Sequence, residues 1–270
     1  AVVEFIERLL TPNRPKRVVS TGLAGLDDVL HGGLYPGQAT YFAGIGGAGK
    51  SMMAQSLAIR AAEAGDPVLY ATLEMPVADC LARLVSYFSF MDSRDILALL
   101  HGQAMPNPTD IRRLRGVAGQ VRDLPITFRR EPSSADALEA ALLKRPETKL
   151  LIVDQVHHMR HPDGVNGMHG LEANSRALVE LAGRFDIPVI GVCQVNRPPA
   201  AERNREWRPT RYSLRGSEQL YHDPAVVLLF PRADATPDTL EIQVAKGRMG
   251  GASEQWFSFS YQPKWCRIGG

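Results

Sequence analysis

Cysteine is scarce in this chain of 270 residues: Cys80, Cys193 and Cys266 are scattered and odd in number. They cannot form a complete disulfide framework and lack the spacing of a zinc site, so buried thiols are expected. Net charge is also scarce, because 31 Lys plus Arg face 29 Asp plus Glu and leave +2. That balance argues against a surface coated in nucleic acid but permits a local basic site. No apolar run approaches the ~20 residues that span a bilayer. Glu4, Glu7 and Arg8 interrupt the first apolar stretch, so it does not read as a secretory leader. A cytoplasmic protein with no membrane partner is the expectation. The 44% hydrophobic and 22% charged fractions suit a globular chain, long enough for one large α/β domain or two small ones.

What the chain does contain is a phosphate-binding loop. Gly44-Ile-Gly46-Gly47-Ala48-Gly49-Lys50-Ser51 follows an apolar run, Ala39 to Ala43, and precedes a helical run, Met52 to Ala64. Strand, glycine loop and helix form the context that such a loop requires. The glycines let backbone N–H groups curl around phosphate oxygens, and the helix N-terminus adds its positive dipole end. Lys50 is placed to reach the β- and γ-phosphates, and the Ser51 hydroxyl to ligate Mg²⁺. The chain is expected to bind a nucleoside triphosphate.

Val2, Phe5, Ile6 and Leu9 fall at helical spacing, giving a short amphipathic helix, and the prolines of 11–17 make a tether. The helix can dock on its own domain or on a neighbouring subunit. The division expected is therefore a linker helix and tether over 1–17 and a motor domain over 18–270. From Ser20 onward, strands are expected at 39–43, 67–72, 125–129, 149–153, 187–193 and 225–230, with later ones near 240–245 and 254–260. Helical patterns lie between the earlier ones, at 50–64, 77–90, 109–121, 134–144 and 170–185. Alternation of this kind implies a mostly parallel sheet covered by helices, with antiparallel additions at the helix-poor C-terminal edge.

Carboxylates and amides at strand ends are the next candidates. Leu150-Leu-Ile-Val-Asp154 is an apolar strand that ends in an acid, where α/β sheets place ligands. Beside a phosphate loop, Asp154 reads as the carboxylate partner of Mg²⁺. Glu74 also follows a strand and can take a proton from, or orient, a water attacking the γ-phosphate; a helix-capping or surface glutamate is the alternative. Gln194 and Asn196 end another strand, and an uncharged amide there can sense the γ-phosphate by hydrogen bonding.

Six arginines (Arg197, Arg203, Arg205, Arg208, Arg211, Arg215) crowd one short segment with Trp207 and Tyr212. They can neutralise phosphates while an aromatic ring offers a stacking face, although a solvated loop part-cancelled by Glu202 and Glu206 fits equally well. Lys246 and Arg248 enter a glycine turn after a late strand, either as a finger reaching a neighbour's γ-phosphate or as a plain basic turn. His157, His158 and His161 lack a completing carboxylate and read as polar loop residues rather than metal ligands.

In order along residues 20 to 268, these segments resemble the RecA-like motor domain of DnaB-type replicative hexameric helicases. The matching stretches are Ser20-Thr-Gly-Leu-Ala-Gly-Leu-Asp27, the phosphate loop, Leu73-Glu74-Met75-Pro76, Leu151-Ile-Val-Asp154, Ile187 to Arg197, Arg208-Pro209 with Leu214-Arg215, and Ala245-Lys246-Gly-Arg248. The resemblance implies ATP and Mg²⁺ as cofactors, Glu74 as the water-activating base, Asp154 on Mg²⁺, Gln194 as γ-phosphate sensor, and Lys246 with Arg248 acting in trans. It implies a hexameric ring, single-stranded DNA in a channel lined by loops near Arg197, Arg203, Arg205, Arg215 and Gly216, and a primase or helicase loader as partner. The N-terminal domain that usually accompanies this motor has no counterpart here. The stretch Leu214 to Val227 departs from the family pattern: Gly216 stands where an acidic residue is usual, and Tyr221-His222 replace a Glu-Gln pair. Two other readings stay open, a RecA- or KaiC-like DNA-stimulated ATPase that does not unwind, and an ATP-regulated loader.

Overall fold

The computed structural model describes residues 2–10, 18–131, 133–162, 165, 167–196, 207–214, 218–231, 238–247 and 255–269. Among these lie nine strands in one sheet. The first half alternates: α1 (Val2–Leu10), α2 (Ala24–Val29), β1 (Ala39–Gly44), α3 (Lys50–Glu63), β2 (Val68–Thr72), α4 (Val77–Ser89), α5 (Ser93–Leu100), α6 (Pro108–Asp123) and β3 (Ile126–Arg129). The second half runs α7 (Ala135–Leu143), β4 (Leu150–Asp154), α8 (Gly167–Phe185), β5 (Val189–Gln194), α9 (Gln219–His222), β6 (Val226–Phe230), β7 (Thr239–Gly247), β8 (Trp256–Gln262) and β9 (Arg267–Gly269).

The strand order is β3-β2-β4-β5-β1-β6-β7-β8-β9. Every pair from β3 to β6 is parallel, and the β6–β7, β7–β8 and β8–β9 pairs are antiparallel. The mostly parallel sheet with antiparallel strands at its C-terminal edge is the one expected. The additions to the expected elements are α2, α5, α9 and β9.

The central strands are apolar throughout because both of their faces are covered. Successive side chains still leave a strand on opposite sides. Phe42, Tyr70, Ile152, Ile190 and Val192 join one core with Met53 and Leu57 of α3. Tyr41, Leu69, Leu151, Val153 and Cys193 join the other with Leu138 of α7 and Leu178 and Leu181 of α8. All three thiols are free and buried, and burial raises them, Cys80 to about 11.

On the α8 face, Gly191 makes room for the Tyr41 ring. A Cβ at 191 would sit 2.7 Å from Tyr41 Cε1 and 2.9 Å from Val156 Cγ2. The Tyr41 hydroxyl is held by Ser175, donating within 3.2 Å of its carbonyl and 3.0 Å of Oγ, so the ring cannot swing aside freely. Gly191→Ala is therefore expected to overpack this face and lower stability by about 1–3 kcal/mol, measured by urea unfolding. No described helix is long and apolar enough to cross a membrane.

Candidate active site

Four neighbouring strands, β2, β4, β5 and β1, point their C-terminal ends the same way, since all their pairings are parallel. They deliver Glu74 just past β2, Asp154 at the end of β4, Gln194 at the end of β5, and the phosphate loop after β1. Such an edge is where open α/β sheets bind ligands. A cleft of about 240 Å³ opens here, lined by Gly46 to Met52, Glu74, Met75, Arg83, Gln155, Gln194 and Tyr261.

The loop is shaped by its glycines. Gly47 and Gly49 take φ of +80° and +85°, a region that favours glycine, and Gly49 is the residue before the first turn of α3. A Cβ on Gly44 would meet the Phe230 carbonyl at 2.8 Å, whereas Gly46 and Gly47 face open space on the cleft. The result is a backbone cradle that ends in a helix N-terminus, a form suited to an anion.

Lys50 is 5% exposed, and its ammonium donates to the Ile45 carbonyl at 2.7 Å. Burial lowers its pKa, opposed by the negative charges of Asp154 and Glu74. Ser51 Oγ donates to Asp154 Oδ1 at 3.1 Å, and the Tyr70 hydroxyl donates to Asp154 Oδ2 at 2.8 Å. Asp154, 1% exposed, has its pKa raised by burial, with the bonds from Tyr70 and Ser51 acting the other way.

Glu74 lies on the rim. Its backbone N–H donates to the Asp154 carbonyl at 3.2 Å, and its Oε2 accepts from Gln155 Nε2 at 2.8 Å. The backbone N–H of Gln194 donates to His157 Nδ1 at 3.4 Å, so His157, expected only as a polar loop residue, buttresses the strand end beside the cleft. His161 Nδ1 lies 3.2 Å from Asn174 Nδ2.

Lys246 is placed differently from a side chain extended toward a neighbour. Its ammonium donates to the carbonyls of Tyr221 (2.8 Å), His222 (2.6 Å) and Pro224 (2.7 Å), closing the end of α9. Arg248 lies outside the described residues, as do Arg197, Arg203, Arg205, Arg215 and Gly216. The flanks of the arginine-rich segment are described. Val195 bridges Leu214, and the Asn196 N–H donates to the Ser213 carbonyl at 2.7 Å. Arg208 pairs with both oxygens of Glu241 at 2.9 and 3.0 Å and lies over the Trp256 ring. Both ends of the segment are thus fixed to the sheet, one of them two residues from Gln194.

Sequence reasoning missed Tyr70, Arg83, Gln155 and Tyr261. Arg83 had a signal: Cys80, Leu84 and Tyr87 are buried on α4, and position 83 shares their stripe. Gln155 had one as well, since the residue after a strand-end carboxylate faces the opposite side.

A phosphate loop at the switch point of this sheet defines a RecA-like P-loop nucleotide-binding domain. The model of the DnaB-like helicase C-terminal domain matches residues 18–267, and the chain belongs to that family. It is 30% identical over 224 residues to the replicative DNA helicase DnaB of Leifsonia xyli, covering 80% of this chain and 47% of that protein. Over 232 residues it is 28% identical to the Pasteurella multocida protein of the same name, covering 83% and 48%. The chain thus spans about half the length of the curated relatives it matches. Among solved structures, one ATPase domain superposes with a TM-score of 0.83 at 19% identity, covering 99% of this chain and 96% of that one. A DnaB-like replicative helicase described with its primase interactions gives 0.83 at 20%, covering 100% and 65%. At those identities the superpositions speak for the fold.

Proposed function

We propose that residues 18–270 form an ATP-hydrolysing motor that assembles into a hexameric ring, moves along single-stranded DNA and unwinds the duplex during replication in the cytoplasm. The observation that carries the reading is the meeting of the phosphate loop, the Ser51–Asp154 pair and Glu74 at one sheet edge, in a chain of the DnaB-like helicase family. The N–H groups of 46–51 and the Lys50 ammonium bind the β- and γ-phosphates. Glu74 orients the attacking water and accepts its proton, and Gln194 senses the γ-phosphate.

The oxygen donors Ser51 Oγ and Asp154 suit a hard divalent cation, and a buried carboxylate with a raised pKa gains from a positive partner. These two residues would hold Mg²⁺, which when bound offsets charge on the phosphates. Residues 1–17 serve as linker helix and tether. Val2, Val3, Ile6 and Leu10 of α1 are exposed and are assigned to docking on the next subunit. Arg248 acts in trans, whereas the Lys246 ammonium is committed to carbonyls of its own chain. A primase or a helicase loader is the expected protein partner of the assembled ring.

Arg197, Arg203, Arg205, Arg215 and Gly216 are assigned to the DNA channel, and salt tests that assignment. Each phosphate contact on a single strand contributes about 0.7 to the slope of log affinity against log salt. Arg215→Ala is expected to weaken single-stranded DNA binding and flatten that slope by about this amount; an unchanged slope moves the contact elsewhere. The function as a whole is tested by measuring ATP turnover with and without single-stranded DNA, and then unwinding of a forked duplex by a ring of confirmed mass. DNA-stimulated turnover with no unwinding would reassign the chain to a RecA- or KaiC-like ATPase.

A further inference from the structure

We propose that Gln155 is a positioning residue for Glu74, fixing the carboxylate in the orientation that hydrolysis needs. The proposal rests on the reading of Glu74 as the base. Asp154 and Gln155 are adjacent at the end of β4, and their side chains diverge. Asp154 turns to Ser51 and Tyr70, and Gln155 turns to Glu74, donating from Nε2 to Oε2 at 2.8 Å. Among the described residues this is the one hydrogen bond of the Glu74 carboxylate. Glu74 is otherwise exposed, and an exposed glutamate spreads over several rotamers. A donor anchored in the sheet selects one of them.

Gln155 is such a donor. It is 2% exposed, and it follows a residue locked in register on both sides, Asp154 opposite Thr72 of β2 and Val192 of β5. The backbone N–H groups of Leu73 and Glu74 both donate to the Asp154 carbonyl. Main chain and side chain of Glu74 are therefore both referred to residues 154–155.

Stability does not account for an amide at this position. Its Oε1 is buried and has no hydrogen-bond partner among the described residues, and an unpaired buried acceptor opposes folding. An apolar side chain of similar shape would fold at least as well. What the amide provides is Nε2. An amide also suits the task better than Lys or Arg would, because a cation beside Glu74 would stabilise its charge and weaken it as a base.

Gln155→Met keeps the length of the side chain and removes the donor. The expected result is an unchanged or higher melting temperature, unchanged ATP affinity, and kcat lower by about tenfold, the scale of losing one orienting contact. In single-turnover measurements on the Glu74→Gln background, adding Gln155→Met is expected to cost nothing further, because no base remains to be positioned. An unchanged or raised kcat overturns the proposal. So does a weakened ATP affinity, or an equal further loss in the Glu74→Gln background. Gln155→Asn, too short to span the gap, is the second variant and is expected to lose kcat in the same way should the methionine variant melt early. Wild-type turnover in Glu74→Gln alone would instead remove the base assignment itself, and is read separately from the Gln155 result.

Discussion

Lys50→Ala is expected to lower ATP turnover by a factor of roughly 10² or more, because electrostatic stabilisation dominates phosphoryl transfer. Lys50 is a desolvated cation at the head of α3, held by the Ile45 carbonyl inside the loop that it closes. Burial already disfavours its charge, so the ammonium is held where an incoming anion would improve its surroundings. A side chain of that kind is costly to the empty fold and valuable to the occupied one. The variant is therefore expected to melt at the same or a higher temperature while losing turnover. Lys50→Met, closer in shape, is expected to behave likewise, which separates loss of charge from loss of packing. Near-normal turnover in either folded variant would remove the phosphate-loop assignment.

How far this site could be read from the chain depended on the range of the forces involved. The phosphate loop is a local object whose glycines, lysine and serine are contiguous, and local conformation governs it. Asp154 and Glu74 were legible as strand-end carboxylates. Their meeting was not, because Ser51 and Asp154 are separated by 103 positions and Glu74 and Gln155 by 81. Only the strand order β2-β4-β5-β1 joins them, and side-chain packing across the sheet selects that order.

Among helices, α6 was expected over 109–121; in the structure it starts at Pro108, behind a capping box formed by Asn107 and Asp110. The neighbouring α5 was missed although Asp92 caps it, accepting from the Arg94 N–H at 2.9 Å. With eight residues it is shorter than the window over which apolar spacing marks a helix. The placement of Lys246 was not legible from strand alternation. Leu240, Ile242 and Val244 are buried on one row of β7, but a register irregularity beside Val227 and Leu228 sets Lys246 opposite Val227, on the other face of the sheet. That irregularity turns its ammonium onto the carbonyls that close α9.

That commitment sharpens the test of assembly. An ammonium has three protons to donate, and Lys246 directs three bonds at its own chain. Arg248, one residue beyond the end of β7, is then the cation assigned to a neighbour's γ-phosphate. A residue that completes another subunit's site contributes little to its own. Rings made only of Arg248→Ala, or only of Glu74→Gln, are each expected to be nearly inactive, because every site lacks one component. An arginine finger contributes ~10³ or more to phosphoryl-transfer rates, so the losses are large. Mixing the two variants places some Arg248→Ala subunits, with Glu74 intact, against Glu74→Gln subunits, with Arg248 intact. In a head-to-tail ring assembled at random from equal amounts, about one interface in four has both components. Those interfaces are expected to recover ATP turnover well above either parent, even where coordinated unwinding does not return. The chains must retain residues 1–17, since α1 is assigned to ring closure, and ring mass must be verified before turnover is read. Recovery in verified mixed rings would require Arg248 to act across the interface, because no single subunit in the mixture carries both groups. Verified mixed rings that stay as inactive as their parents would return Arg248 to its own subunit and leave the trans cation unassigned.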